Sequence, residues 1–134
     1  KRNKIDVIET KLIDSTKVIK RLEKTADRLL LDVPCSGLGV LKRNPDAKWK
    51  LKEEEIANLV KTQEEILENY SGMTKVGGLM VYATCSIFSE ENEKQIEKFL
   101  AKNGEHWILK NEIHLRPDLQ GYDGFYMALL ERKD

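Results

Sequence analysis

The sequence predicts an α/β protein with a mostly parallel sheet. Two continuous apolar runs, RLLLDV (28–33) and GGLMVYATC (77–85), are typical of strands that are buried on both faces. Between and after these runs, apolar residues recur at helical spacing. Strands that alternate with helices indicate parallel pairing through helical crossovers. With 134 residues, the chain is long enough for one domain.

The first part of the chain predicts a strand, a helix, a second strand and a loop. IDVIE (5–9) favours a short strand, and the helix that follows is predicted over residues 15–26, with Ser15 as its N-cap. The apolar run 28–33 is the next strand. Residues 34–50 contain several glycines and prolines, and they predict a loop.

The second part adds two helices and three strands. Residues 52–70 predict a helix because their apolar side chains form one stripe, and glutamates at its start suit the positive end of the helix dipole. After the strand 77–85, residues 89–104 predict a helix capped by Ser89 and Gly104. The tail predicts two further strands, at residues 107–110 and 124–131.

Composition narrows the class of protein. The 23 basic and 23 acidic residues give a formal net charge of zero, so global charge argues neither for nor against a nucleic acid partner. No run approaches the roughly 18 apolar residues that cross a bilayer, so we expect no membrane partner. Two cysteines do not form a disulfide framework, which favours the cytoplasm. Because His106 and His114 lie in no ligand-spaced cluster, we expect no metal site.

Both cysteines follow a predicted buried strand, and each precedes a serine. Cys35 follows LLLDVP, and Cys85 follows LMVYAT. Ligands of α/β sheets bind at the carboxyl ends of the strands, and neighbouring strands lie about 4.8 Å apart. If these two strands are neighbours, the thiols share one rim of the sheet and face one crevice. A cysteine that acts only as a small buried hydrophobe is the plainer interpretation, and the matching serines argue against it.

The residues around the cysteines form a set of five motifs. The motifs are DVPCSGLG (32–39), RNPD (43–46), ATCS (83–86), ENE (91–93) and DGFYMA (123–128). Together they resemble the RNA cytosine-5 methyltransferases of the Nol1/Nop2/Sun family, and the resemblance extends from about Ile8 onward. Either cysteine motif alone is a weak signal, whereas both in this order are specific. The resemblance implies a Rossmann-like class I methyltransferase sheet with an antiparallel last strand.

The resemblance implies covalent catalysis with S-adenosylmethionine as the methyl donor. Carbon 5 of cytosine is a poor nucleophile, and a thiolate that adds to carbon 6 makes it reactive. The family pattern assigns the nucleophile to Cys85 and the release of the methylated product to Cys35. Asp32 would face the cytosine edge near nitrogen 3, and we expect burial to favour its protonated form.

The resemblance also implies binding residues. Asp14, Asp32 and Pro34 would lie at the cofactor site. The expected substrate-binding residues are Pro34, Ser36, Gly37, Arg43 and Ser86. Basic residues around Trp49 suit phosphate contact and base stacking in RNA, although a solvated loop explains them equally well. The ENE motif would support the loop that carries Cys85.

We expect the cofactor site to be incomplete in this chain. Methyltransferases of the resembled fold bind the cofactor with a glycine-rich loop after the first strand, and no glycine precedes Gly37. Residues 1–134 are therefore expected to be the C-terminal half of a catalytic domain that lacks its N-terminal half and its first two strands. Alone, it is expected to be inactive. The missing strands leave an apolar edge, which predicts a non-native oligomer.

Two other functions stay open at this point. A non-catalytic interaction module with a methyltransferase-like fold would carry the same motifs without an upstream half. A redox protein would use Cys35 and Cys85 as a pair, but their separation differs from the close C-x-x-C spacing of redox motifs. The RNA substrate is compatible with either ribosomal or transfer RNA.

Overall fold

The computed structural model describes residues 7–134, which form five α-helices, one 3-10 helix (Leu38–Val40) and one four-stranded sheet. The helices are α1 (Thr16–Arg21), α2 (Ala47–Lys50), α3 (Glu53–Ser71), α4 (Glu93–Asn103) and α5 (Pro117–Gln120). The strands are β1 (Ala26–Asp32), β2 (Thr74–Thr84), β3 (Trp107–Leu115) and β4 (Phe125–Arg132). The predicted α/β class is confirmed.

The strands pair in the order β1-β2-β4-β3. β1 and β2 are parallel neighbours, with Leu31 opposite Tyr82. β4 lies antiparallel to both β2 and β3, so the predicted antiparallel last strand is present. Because one of the three pairings in residues 7–134 is parallel, the described part of the sheet is mixed. The ends of β1, β2 and β3 and the beginning of β4 therefore lie at one rim.

The core lies between this sheet and helices α3 and α4. Leu67 of α3 and Ile96 of α4 are almost fully buried against Tyr82 of the central strand β2. Phe99 meets Trp107 edge to face, with ring centroids 5.7 Å apart, a favoured arrangement of aromatic rings. This packing fixes both helices over one face of the sheet. No helix in residues 7–134 has the length and apolar character to cross a membrane.

Helix α3 matches its prediction, whereas the other two predicted helices are shorter. The helix expected over 15–26 ends at Arg21, because the chain turns at Lys24 with φ 54° and Ala26 already belongs to β1. The helix expected to begin after Ser89 begins at Glu93, and Asn92 is its N-cap. The helix begins later because the residues just before Glu93 turn inward and are buried in tertiary contacts.

Two predictions about strands are wrong in the described residues. Residues 7–9 form no strand, and residues 5 and 6 of the predicted strand lie outside the described range. β1 is consequently an edge strand in the part of the sheet that is described. Its face with Leu31 joins the core, but Leu30 on the other face is 65% exposed, so β1 is not buried on both faces.

Candidate active site

The two cysteines meet at the carboxyl ends of β1 and β2. Cys35 Sγ and Cys85 Sγ lie 3.0 Å apart. Both cysteines are free and half-buried. The backbone N–H of Cys85 also donates a hydrogen bond to Cys35 Sγ, at 3.2 Å. The predicted shared rim is therefore confirmed, and it follows from the parallel pairing of the two strands.

The environment distinguishes the two thiols. Burial, together with the hydrogen bond to Cys85, raises the pKa of the Cys35 thiol from 9.0 to about 12. Either thiol can be the donor in the contact between the two sulfur atoms. A nucleophilic sulfur must be a thiolate. The raised pKa therefore disfavours Cys35 as an attacking thiolate.

We expect Cys35 to resist alkylation in the folded protein. Only the thiolate reacts, and a pKa of about 12 instead of 9.0 lowers the thiolate fraction near pH 8 by about a thousandfold. Iodoacetamide labelling followed by peptide mass spectrometry separates Cys35 from Cys85. In urea, where burial and the contact between the thiols are lost, Cys35 should react as an ordinary cysteine. Equal rates in folded and unfolded protein would contradict the raised pKa.

A buried carboxylate joins the two cysteine loops. Glu91 is fully buried, and its Oε1 accepts hydrogen bonds from Ser36 N at 2.8 Å and from Gln63 Nε2 at 3.0 Å. Its Oε2 accepts from the hydroxyls of Ser36, at 2.6 Å, and of Ser86. Each serine directly follows one of the cysteines in the chain. One side chain therefore links the two loops that carry the thiols.

Further hydrogen bonds hold the segment that carries Glu91. Tyr82 OH donates to the carbonyl oxygen of Glu91 at 2.7 Å, and burial raises the pKa of Tyr82, which keeps its hydroxyl a donor. Asn92 Nδ2 donates to the carbonyl oxygen of Ser86 at 3.1 Å, and Asn92 Oδ1 accepts from Thr84 Oγ1 at 2.5 Å. The expected support of the Cys85 loop by the ENE motif thus has a concrete set of contacts.

A second junction ties the Cys35 loop to the beginning of β4. Gly39 N donates to the carbonyl oxygen of Cys85 at 2.9 Å, and Gly124 N donates to the carbonyl oxygen of Gly39 at 2.7 Å. Arg43 and Asp123 form an ion pair across the same two segments. Arg43, a predicted substrate residue, thus also holds this loop in place.

The other predicted substrate residues lie at or beside the cysteine pair. The hydroxyls of Ser36 and Ser86 are directed to Glu91, and a substrate contact through them stays a prediction. Gly37 has φ 71°, the left-handed conformation that favours glycine. The carbonyl oxygen of Pro34 accepts a hydrogen bond from Gln63 Nε2 at 2.8 Å.

The predicted cofactor residues lie on the β1 side of the rim. Asp32 stands at the end of β1 but is exposed, so its expected burial is wrong; β1 is an edge strand here and nothing in residues 7–134 covers this carboxylate. Asp14 is exposed in the segment before α1. Its neighbour Ile13 and Asp32 both line a mainly apolar groove of about 370 Å³.

Gln63 was not among the predicted site residues, yet it is fully buried and contacts both Pro34 and Glu91. The sequence did carry a signal. Gln63 lies at helical spacing between Val60 and Leu67, in the middle of the apolar stripe of the predicted helix. A polar side chain at such a position requires a buried hydrogen-bond partner.

Comparison with known sequences supports the motif resemblance. The family described as 16S rRNA methyltransferase RsmB/F matches residues 2–131. The chain is 43% identical over 113 residues to ribosomal RNA small subunit methyltransferase B of Photorhabdus laumondii, and 44% identical over 107 residues to that of Proteus mirabilis. Each alignment covers 80% of this chain, but 26% and 25% of the two relatives. The chain spans about a quarter of the length of these curated relatives.

Solved structures agree on the fold. The protein PH0851 is 36% identical with a TM-score of 0.77, and the similarity covers 81% of this chain and 27% of that one. A methyltransferase homolog from Pyrococcus horikoshii is 26% identical with a TM-score of 0.70, covering 89% and 42%. NSun6 from the same organism, solved with SFG, is 22% identical with a TM-score of 0.69, covering 87% and 33%, and supports the fold alone.

These similarities confirm both the Rossmann-like fold class and the resemblance to the Nol1/Nop2/Sun methyltransferases that the cysteine motifs indicated. The family match extends over nearly the whole chain, and the matched residues include both cysteine loops and Glu91. The chain belongs to the RsmB/F family of 16S rRNA methyltransferases.

Proposed function

We propose that this chain carries the catalytic cysteines of an enzyme that methylates carbon 5 of cytosine in ribosomal RNA, with Cys85 as the nucleophile. The observation that carries the proposal is the 3.0 Å contact between Cys35 Sγ and Cys85 Sγ at the ends of two parallel strands. In the proposed reaction one thiol attacks the ring and the other assists release of the product, so both must lie at one place.

In the first step, Cys85 Sγ forms a bond with carbon 6 of cytosine. The electron pair of the ring double bond moves toward carbon 5, which becomes nucleophilic, and charge develops at nitrogen 3. Asp32 lies at the end of β1, the strand next to the one that leads into Cys85. Its carboxyl group would hydrogen-bond the cytosine edge near nitrogen 3 and so stabilise the adduct.

When bound, S-adenosylmethionine would supply the electrophilic methyl group that carbon 5 accepts, and its sulfur would keep the electron pair of the broken bond. A base then takes the proton from carbon 5, the electron pair restores the ring double bond, and the bond between carbon 6 and sulfur breaks. Cys85 leaves as a thiolate. The S–H of Cys35 donates a hydrogen bond to that departing sulfur, and the high pKa of Cys35 keeps its proton in place for this purpose.

The groove beside β1 fits one side of such a cofactor. Leu29, Leu31 and Val33 give it an apolar wall, and Asp32 places a carboxylate at its end. Apolar walls with a few placed polar groups are typical of cofactor sites. We assign Asp14, Asp32 and Pro34 to this side. The 134-residue chain by itself is proposed to be inactive.

The test is a covalent trap in the full-length protein that carries this sequence. A 16S rRNA transcript that contains 5-azacytidine is incubated with protein and S-adenosylmethionine, and the adduct is detected as a band resistant to denaturing gel electrophoresis. We expect an adduct with the wild type and with Cys35→Ala, and none with Cys85→Ala, because only Cys85 forms the bond to the ring.

Cys35→Ala is the matched control, since it removes a thiol from the same pair. An adduct lost only in Cys35→Ala would reverse the two roles. Absence of adduct in all variants, with folding and RNA supply verified, would overturn the proposal and favour a non-catalytic interaction module.

A further inference from the structure

A second cavity lies at the same rim of the sheet, and the proposed mechanism does not use it. Its volume is about 840 Å³, within the roughly 300–1,000 Å³ typical of ligand sites. The wall includes Ser86 and Ile87, the two residues after Cys85, and continues to the end of β3 and the beginning of β4. Neither cysteine lines it. The cavity is thus next to the nucleophile but separate from the thiol pair.

The cavity is on the side of Cys85 away from the proposed cofactor groove. Leu115, at the end of β3, belongs to its lining, and Asp32, at the end of β1, belongs to the groove. The order β1-β2-β4-β3 separates these two strand ends by three spacings of about 4.8 Å, or roughly 14 Å. A ligand in this cavity would not compete with the cofactor.

Aromatic side chains and apolar groups form much of the lining. Tyr122 is 73% exposed, which leaves its ring free to accept a partner, and Phe125, three residues later, is half-buried. The His114 ring also lines the cavity. Unpaired RNA bases are bound by stacking on aromatic side chains of this kind.

The charges of the lining are of both signs. Lys42 and Arg116 contribute cations, and Glu93, Asp118 and Asp123 contribute carboxylates, of which Asp123 is paired with Arg43 outside the lining. Arg116 is held by Asp118 through two hydrogen bonds, at 3.1 and 2.7 Å, so its guanidinium group is oriented. A site for phosphate alone would carry an excess of cations. Mixed donors and acceptors around an exposed aromatic ring fit a nucleobase together with its one phosphate.

We propose that this cavity binds the nucleotide next to the target cytosine in single-stranded RNA. Its base stacks on Tyr122, its edge meets the polar groups of the lining, and its phosphate meets Lys42. This assignment rests on the proposed function, because the target cytosine is bound at Cys85 and the lining residue Ser86 is the next residue in the chain. The cavity would therefore contribute to the choice of sequence around the methylated base.

The experiment uses the same azacytidine trap in the full-length protein. The trapped 16S rRNA complex is irradiated with ultraviolet light and digested with nuclease and protease, and the cross-linked peptides are identified by mass spectrometry. We expect one short oligonucleotide to join the peptide of Cys85 to the peptide of Tyr122. Tyr122→Ala is expected to raise the RNA concentration for half-maximal trapping about tenfold or more, from the loss of one stacked base.

Two variants complete the design. Tyr122→Phe keeps the ring and should retain most of the affinity for RNA. If Tyr122 acted through its hydroxyl group instead, this variant would bind as weakly as Tyr122→Ala. Ile108→Ala removes an exposed apolar side chain near the other end of β3, outside the cavity, and should bind RNA as the wild type does. If Cys85 is trapped but Tyr122→Ala binds normally and no bridged peptide forms, this proposal fails and the proposed function stands. If no adduct forms at all, both fail.

Discussion

Glu91→Ala is expected to lower the free energy of unfolding by about 3–5 kcal/mol, which for a domain of this size shifts the thermal midpoint by about 10 °C or more. The carboxylate accepts four hydrogen bonds, from Ser36 N, the hydroxyls of Ser36 and Ser86, and Gln63 Nε2. Its removal takes the acceptor from all four donors and opens a cavity beside them, although Gln63 Nε2 keeps the Pro34 carbonyl and the two serine hydroxyls keep each other. Both effects destabilise the folded state.

Thermal and urea denaturation followed by circular dichroism measure this change. Glu91→Gln keeps the shape of the side chain but turns one acceptor into a donor that faces other donors. We therefore expect it to lower the free energy of unfolding by about 1–3 kcal/mol. The matched control is Glu90→Gln. Glu90 precedes Glu91 but is exposed and pairs with Lys94 on the surface, so this variant should leave the stability unchanged within error.

The cysteines supply a second readout for the Glu91 variants. If Glu91 sets the spacing of the two cysteine loops, then Glu91→Ala should separate the thiols and raise the rate at which Cys35 is alkylated. A variant as stable as Glu90→Gln, with Cys35 still unreactive, would show that the contacts of Glu91 do not hold the site together.

The position of the cysteines could be predicted from sequence because it depends on local pattern and simple topology. Continuous apolar runs identified β1 and β2, and parallel neighbours end at the same rim. Glu91 could not be placed in the same way. In sequence it suits the first turn of a helix, whereas in the fold the turn before Glu93 directs it inward to serines that are distant in the chain.

The same distinction explains the wrong expectations for β1. An apolar run reports what a strand can bury, but the neighbours that cover it come from elsewhere in the chain. In residues 7–134, β1 has β2 on one side only, so Leu30 and Asp32 are exposed. Gln63, in contrast, could have been predicted from sequence, since a polar side chain within an apolar stripe requires a buried hydrogen-bond partner.

Gly39→Ala is expected to have the largest effect of any single added methyl group at the site. A Cβ at residue 39 would overlap the carbonyl oxygen of Gly124 and lie 2.7 Å from that of Cys85. Both contacts are with backbone, so a change of rotamer cannot relieve them. Overpacking of this kind costs about 1–3 kcal/mol, and here one of the loops must also move.

The movement matters because Gly39 N–H donates to the carbonyl oxygen of Cys85. A displaced Cys85 loop would increase the distance between Cys85 Sγ and Cys35 Sγ, so trapping of azacytidine RNA should fall together with stability. Gly72→Ala is the matched control: Gly72 follows α3 in helical conformation, φ −57°, with nothing within 4 Å of an added Cβ. It should be neutral or stabilising by about 0.4–1 kcal/mol.

The two readouts separate a role in folding from a role in placing the nucleophile. Gly39→Ala measured below its unfolding temperature should remain folded and yet trap less RNA, because the close approach of the three loops at Gly39 fixes Cys85 as well as the fold. If Gly39→Ala had wild-type trapping and wild-type stability, the backbone at the contact of Gly39, Cys85 and Gly124 could shift to admit a methyl group at little cost in free energy. Glu91 would then be left as the main determinant of the distance between the thiols.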